Sequence, residues 1–231
     1  AAVLYSRGDL AHCLAEKSPA HISLHYTALV VLFYAMLGVV LSDGGFSFLF
    51  FWELMTVASF LLILFDAQRR EVRRAALSYL IMMHIGFVLL VIGFVRLDAA
   101  CGAATFGALG DYFRTQPGLP LLLVFLAGFG MKAGLFPMHV WLPEAHPAAP
   151  SHVSALMSGV MIKTGVYGIL RVTAALGEQP LLHTAGVILL AAGVVTGRYG
   201  RPMWGSVPLI LAGVIAIVWG PSGHSPSALL V

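Results

Sequence analysis

The chain has 231 residues, of which 59% are hydrophobic and 10% are charged, with a formal net charge of +3. A water-soluble domain carries about 25% charged residues, so this sequence lacks the polar side chains needed to cover a surface in water. Its small, dispersed positive charge also argues against a nucleic-acid partner. The composition predicts a protein of the lipid bilayer.

The N-terminal residues show neither an initiator methionine nor the charged-then-apolar pattern of a signal peptide. We therefore interpret residues 1–25 as a loop or the end of a preceding segment of a longer chain. Cys13 and Cys101 are far apart and lack metal-type or redox-type spacing. A disulfide framework or an iron–sulfur site is not expected.

Five apolar runs meet or approach the length of about 20 residues that a helix needs to cross the hydrocarbon core, and a sixth is weaker. Period-two alternation is absent, which favours helices over a barrel. The turn at 42–45 (Ser-Asp-Gly-Gly) predicts that the first two runs form a tight antiparallel pair. The sequence thus predicts an all-α polytopic membrane protein with about six transmembrane helices. In chain order, the runs are 26–41, 46–65, 75–95, 119–136, 152–170 and 181–195.

The densest basic cluster of the chain lies in the segment 68–74, which contains four arginines. Cytoplasmic loops of membrane proteins carry an excess of Lys and Arg, so this loop should face the cytoplasm. The loop 97–118 is then predicted on the outside and the segment 138–150 on the inside.

Two lysines lie deep in apolar runs. Charged side chains at bilayer depth cost at least about 2.5–3.5 kcal/mol each, and a lysine near the midplane cannot easily reach either surface. Lys132 is about 13 residues into its run. Lys163 is central in the next run and has no acidic residue within one helical turn. Because burial disfavours the charged form, Lys163 is a poor structural residue and a good proton relay. Together the two residues predict ion or proton transport.

Glu53 lies seven residues into the second run, among aromatic and aliphatic neighbours. Lys132 is an available partner for its carboxylate. Two other interpretations stay open: a carboxylate near the interface or kept protonated, and a static ion pair that holds helices together without turnover. Either would be structural and would not require transport.

Pro137 follows Lys132 by five residues and removes a backbone donor from the helix. Unpaired backbone at membrane depth is tolerated within protein or beside a water-filled cavity, and transporters place such broken helices at their ion sites. Gly130 and Gly134 flank Lys132, and we interpret their spacing as a site of close helix packing. The three residues together predict a broken helix.

Histidines occur in the third run, at His84, and around the Pro-rich connection, at His139, His146 and His152. Histidine titrates near neutral pH, so His84 and His139 are candidates for a relay. A hydrogen-bonded structural role is an equal alternative for each of them. No metal site is expected, because the spacings among the last three histidines fit no common ligand pair.

The stretch from Gly128 to Arg171 resembles the antiporter-like subunits of complex I and its relatives. This stretch includes the run around Lys163 and, before it, Lys-Ala-Gly-Leu-Phe-Pro-Met-His-Val-Trp-Leu-Pro-Glu-Ala-His. It is most similar to the hydrogenase-4 and formate hydrogenlyase membrane subunits. The stretch 51–55 (Phe-Trp-Glu-Leu-Met) matches the acidic helix of that family. The resemblance covers about 26–196 and implies a fold of two inverted repeats, each with one broken helix. This chain would hold most of the first repeat as its proton-conducting domain, 26–197.

By this resemblance, Glu53 is the acidic partner, Lys132 the gating lysine with which it pairs, and Lys163 the central relay lysine. The family subunits carry no redox cofactor and couple to electron transfer in neighbouring membrane and peripheral subunits of a hydrogenase or NADH dehydrogenase. The implied function is proton translocation in the inner (plasma) membrane of a prokaryote. The alternatives are a subunit of a multi-subunit Na⁺/H⁺ antiporter and a purely structural membrane scaffold with a fossil ion pair.

The resemblance ends after about Gly197. The segment 198–231 is atypical, and its apolar piece 207–219 is too short to span the membrane comfortably. The hypothesis is a coding sequence that is truncated or shifted out of frame near this point. Resequencing the source DNA tests it, and an intact frame through Val231 would contradict it.

Overall fold

The computed structural model describes residues 18–135, 137–177 and 180–199. Most of them are helical, and the only β-type pairing in this part of the chain is an isolated bridge between Gly44 and Thr105. The all-α prediction is therefore confirmed. The helices in chain order are α1 Pro19–Leu41, α2 Gly45–Ile63, α3 Arg70–Cys101, α4 Ala108–Thr115, α5 Gly118–Ala133, α6 Leu142–Ala148, α7 Ser151–Leu156, α8 Ile162–Ala175 and α9 Pro180–Tyr199.

By length and composition, four candidate spans in the described residues can cross a membrane: Pro19–Leu41, Gly45–Asp66, Arg70–Cys101 and Ser151–Ala175. The last combines α7, a π-helical segment at Met157–Met161 and α8. Helix α5 is shorter but equally apolar. Large apolar side chains on the outside of the bundle are exposed, such as Phe33, Phe50 and Ile81. Such an outer surface suits acyl chains and not water.

The apolar runs predicted from the sequence coincide with α1, α2, α3, α5, the span 151–175 and α9, and the helices extend beyond most of the predicted ends. The exceptions are α2 and α5, which end two and three residues before the predicted ends at 65 and 136. Helix α1 begins at Pro19, seven residues before the predicted start, because Ser18 caps it through its side-chain oxygen and proline suits the first helical position. The predicted N-terminal loop 1–25 is therefore helical from 19 onward. Residues 1–17, and 200–231 of the predicted tail, lie outside the described residues.

Arg171 of α8 fixes the tight turn between α1 and α2. Its guanidinium donates to the Ser42 carbonyl at 2.6 Å and to the Asp43 carboxylate at 2.9 Å, and it lies 3.8 Å from the centre of the Phe106 ring. The predicted antiparallel pair of α1 and α2 is present, and Arg171 ties it to the span 151–175.

Two glycines let α5 approach its neighbours closely. A Cβ atom on Gly165 of α8 would lie 2.6 Å from the backbone nitrogen of Ala133, and one on Gly128 would lie 3.1 Å from the Gly86 carbonyl of α3. Gly130 and Gly134, which the sequence suggested for helix packing, instead face Leu135 and Leu142 of the chain that follows α5. Gly134 thus packs against the start of α6, whereas Gly130 faces the turn after α5, because the helix ends between these two glycines and the chain folds back over them.

Candidate functional site

Helix α5 ends inside the bundle. Its 16 residues span about 24 Å, less than the roughly 30 Å of a hydrocarbon core. Gly134 ends the helix with a φ of +70°, a left-handed conformation that glycine adopts without strain. Pro137, where the sequence placed the interruption, lies exposed in a turn after the helix has already ended. The break therefore precedes Pro137 and depends on Gly134.

The helix end leaves carbonyl groups without helical partners, and the following chain satisfies them. The Gly130 carbonyl accepts from the N–H groups of both Gly134 and Leu135. The Met131 carbonyl accepts from the indole Nε1 of Trp141 at 2.9 Å, and Trp141 is fully buried. These bonds stabilise a helix end at a depth where water is scarce. Sequence reasoning did not single out Trp141.

Lys132 occupies the last turn of α5, and 1% of its surface is exposed. Its Nζ donates to the Thr56 hydroxyl at 2.9 Å and lies 4.6 Å from the centre of the Trp52 ring. The negative end of the helix dipole also favours a cation here. The ammonium group is thus held by a hydroxyl, an aromatic face and a helix end.

Glu53 is turned away from Lys132 and forms its ion pair with His84 of α3, with 3.0 Å between Oε1 and Nε2. The direct contact between Glu53 and Lys132 that the sequence suggested is not formed between these described residues. The reason is helical geometry: Trp52 and Thr56, four residues apart, share the face toward Lys132, and Glu53 lies about 100° around the helix. Glu53 still acts electrostatically on Lys132.

The contacts of the Glu53–His84 pair require two hydrogens in total on the imidazole and the carboxyl group. The Nδ1 of His84 lies 3.0 Å from the Leu80 carbonyl, which can only accept, so Nδ1 carries a hydrogen. The contact between Nε2 and the carboxylate then needs a second hydrogen, either on the imidazole, which makes it cationic, or on the carboxyl group. The two states have the same hydrogen bonds. In the first, the imidazole is positive and the carboxylate negative; in the second, both groups are neutral.

A cluster of buried hydroxyl groups continues from Thr56 along α2. The Ser59 hydroxyl donates to the Met55 carbonyl at 2.8 Å and lies 3.0 Å from the sulfur of Met161. The hydroxyl of Tyr79, on α3, approaches the same sulfur at 3.6 Å. The hydroxyl of Tyr79 also lies next to those of Ser59 and Thr56. Sequence reasoning missed this cluster, although Glu53, Thr56 and Ser59 follow one another at intervals of three residues, which places polar groups along one side of a helix.

Lys163 lies at the centre of the span Ser151–Ala175, directly after the π-helical segment. It is half-buried, and its ammonium group forms no ion pair with the residues that the structure describes. The close contact of Gly165 with Ala133 brings this part of the span against the end of α5, which carries Lys132. A π-helical turn commonly marks a functional position in a helix.

The other predicted histidines lie in the connection after α5 and at the start of the span 151–175. His139 is half-buried in the turn that precedes α6. His146 of α6 contacts the Ser154 hydroxyl at 2.9 Å, and burial lowers its pKa. His152 contacts His25 of α1, a residue that the sequence analysis did not consider. No group of three metal-ligating side chains occurs among the described residues.

Thr56→Val should destabilise the protein by about 1.5–3 kcal/mol, because it removes the hydrogen-bond acceptor of a buried ammonium group with little change of shape. Thermal unfolding in detergent measures this effect. Thr173→Val is the matched control: Thr173 is also buried in a helix, and its hydroxyl bonds to backbone carbonyls and to no charged group among the described residues. Equal losses in the two variants would show that Thr56 does not stabilise Lys132.

Residues 42–201 match the family model described as NADH:quinone oxidoreductase/Mrp antiporter, transmembrane. The match covers more than half of the chain and includes all three predicted transport residues. The chain belongs to this family. It is therefore an antiporter-like membrane segment with several transmembrane helices.

One relative is an uncharacterized protein of Mycobacterium tuberculosis (strain H37Rv), which is 44% identical to this chain over 178 residues. The aligned stretch covers 75% of this chain and 27% of that protein. Hydrogenase-4 component B of Escherichia coli (strain K12) is 38% identical over 172 residues, 72% of this chain and 25% of its own length. The Mrp complex from Dietzia sp. DQ12-45-1b shares the fold, with a TM-score of 0.70 at 22% identity, covering 82% of this chain and 38% of the Mrp chain. The chain thus spans about a quarter of the length of its curated relatives.

Proposed function

We propose that this chain carries part of the proton path of a redox-driven complex in the inner membrane of a prokaryote, of the hydrogenase-4, formate hydrogenlyase or NADH:quinone oxidoreductase type. The observation that supports this most is Lys132, a fully buried lysine at the end of a broken helix. Among the residues that the structure describes, it is bonded to a hydroxyl and to no carboxylate. A static buried lysine would be stabilised best by a direct ion pair. An ammonium held by weaker, neutral partners can release its proton.

In this proposal, Lys132 holds a proton while the Glu53 carboxylate is negative, because the negative charge favours the ammonium form. When the proton of the Glu53–His84 pair moves onto the carboxylate, both members become neutral and that attraction disappears. Lys132 then passes its proton toward Lys163, on the span that packs against the end of α5. Glu53, His84, Lys132 and Lys163 are the relay, and electron transfer takes place in neighbouring subunits.

The energies involved are compatible with this scheme. Moving one proton against a potential of about 200 mV requires about 4.6 kcal/mol, at roughly 2.3 kcal/mol per 100 mV. This corresponds to a change in the proton affinity of the relay of about 2,000-fold, at roughly 1.36 kcal/mol per factor of ten. Burial and neighbouring charges together can change the proton affinity of a lysine by that much.

A subunit of a Na⁺/H⁺ antiporter is the second candidate, and the Mrp antiporters within the matched family favour it. The two candidates differ in the driving reaction. We expect the complete complex, reconstituted in closed vesicles, to acidify the lumen or the medium only while electrons flow, equally in sodium-free buffer. Acidification driven by a sodium gradient without an electron donor would instead support the antiporter.

The genes beside the one that encodes this chain give an independent test. Neighbouring genes for nickel–iron hydrogenase or iron–sulfur subunits support the redox-driven complex. Neighbours that encode only small membrane subunits support the antiporter. A structural scaffold, the third candidate, predicts no proton flux that depends on Lys132 or Lys163.

A further inference from the structure

His25 of α1 and His152 of α7 form a buried pair that the proposed relay does not use. Their Nε2 atoms are 2.8 Å apart, and the ring planes meet at 83°. Each residue is 8% exposed. The contact joins residues 127 positions apart in sequence and links the first span to the span that carries Lys163.

The pair lies at the end of the bundle where α1 and α7 begin and where α2 ends. The Phe65 ring, in the turn after α2, lies 4.6 Å from the His25 ring, between centroids. The Phe65 carbonyl contacts the Nε2 of His21, one turn earlier on α1, at 2.9 Å. His21 is half-buried, so burial increases from His21 to His25 and His152. Three imidazoles therefore line one end of the bundle.

The Nε2–Nε2 contact determines how many protons the pair holds. A hydrogen bond between two ring nitrogens needs one protonated and one unprotonated Nε2. The titratable groups that act on His25 are His152, on α7, and His21, on its own helix; all three are bases. A second positive charge in the pair would therefore be repelled by the first. Protons enter and leave this pair one at a time.

The other ring nitrogen of His25 gives the proton a second position. Its Nδ1 is buried and makes no hydrogen bond to the residues that the structure describes. An imidazole that gains a proton on one nitrogen can lose one from the other, so it transfers protons without moving through the bundle. On α2, the buried hydroxyls of Ser59 and Thr56 follow at about 9 Å and about 14 Å along the helix from Phe65, toward Lys132.

We propose that His25 and His152 form a proton-transfer site that connects the end of the bundle beside the segment 68–74 with the interior hydroxyls and Lys132. This inference rests on the proposed proton translocation. It adds the place at which the path exchanges protons with the aqueous phase. The Phe65 ring packs against the His25 ring, and the His21 ring packs against the same Phe65 ring, one turn nearer the start of α1.

The test measures proton translocation by the complete complex in closed vesicles, with electron transfer and subunit assembly measured in parallel. His25→Gln and His152→Gln keep a hydrogen-bonding side chain but cannot carry a proton through the ring. Each should lower proton translocation at least about tenfold, and the double variant should be no worse than either single variant, because the two residues act in series. His183→Gln, which replaces an exposed histidine of α9 outside this cluster, is the control and should retain most of the flux.

Chemical rescue separates proton transfer from packing. His25→Ala with added imidazole should recover a measurable part of the lost flux, which a purely structural histidine would not allow. Unchanged flux in both Gln variants, in a preparation where Lys132→Ala abolishes it, would overturn the inference and leave the proposed function intact. Unchanged flux in Lys132→Ala would contradict the proposed function itself.

If the variants do not assemble, nitrogen-15 spectra of histidine in the unmodified complex decide the question. We expect one protonated and one unprotonated Nε2 with a coupling across their hydrogen bond. Two protonated or two unprotonated Nε2 atoms would overturn the inference.

Discussion

Lys132→Ala in the complete complex should abolish proton translocation, with a loss of about 100-fold or more, which is the scale on which a positioned proton donor acts. The substitution removes the only cation bonded to Thr56 among the described residues and would interrupt the proposed path between the Glu53–His84 pair and Lys163. In the proposed complex, electron transfer takes place in other subunits, so we expect it to continue at a rate closer to normal. The ratio of protons moved to electrons transferred is the quantity to measure.

Glu144→Gln is the matched control for a charge change near the same part of the chain. Glu144 lies in the short helix α6, outside the membrane-spanning helices, and is half-buried. Its replacement should leave the ratio of protons to electrons close to the normal value. A normal ratio in Lys132→Ala would remove this residue from the mechanism.

Glu53→Gln should give the second largest loss, at least about tenfold in proton translocation. Glutamine can still bond to His84, but it can neither hold a negative charge near Lys132 nor accept the proton of the pair. The effect should therefore be on transport more than on stability, and thermal unfolding of the variant should lie close to that of the unmodified protein.

His84→Gln complements this experiment, because it removes the other member of the pair. If the pair acts as a unit, the losses in Glu53→Gln and His84→Gln should not multiply in the double variant. Independent, multiplying losses would mean that Glu53 acts on Lys132 without His84.

The sequence predicted the architecture because length and apolarity determine membrane spans. The runs around Glu53, Lys132 and Lys163 all lie in helices, within a few residues of the predicted ends. Helix ends were less predictable, since Ser18 and Gly134 act through local backbone geometry. The sequence suggests Pro137 as the point where the helix breaks, yet the end of α5 depends on Gly134, three residues before it.

The partners of the charged residues could not be predicted in the same way. Two opposite charges suggest an ion pair, but which face of α2 meets α5 depends on how three helices pack. Residues four apart, Trp52 and Thr56, face Lys132, and the intervening Glu53 faces His84. The contact between His25 and His152 joins distant parts of the chain and has no local signal at all.

The most direct measurement compares Lys132→Arg with the unmodified complex in vesicles, by protons moved per electron. Arginine keeps the positive charge of this position but does not release its proton in a protein. We expect the variant to assemble and to transfer electrons while it moves essentially no protons. Proton translocation that survives in Lys132→Arg would mean that this position needs only a fixed charge, which contradicts a relay through Lys132.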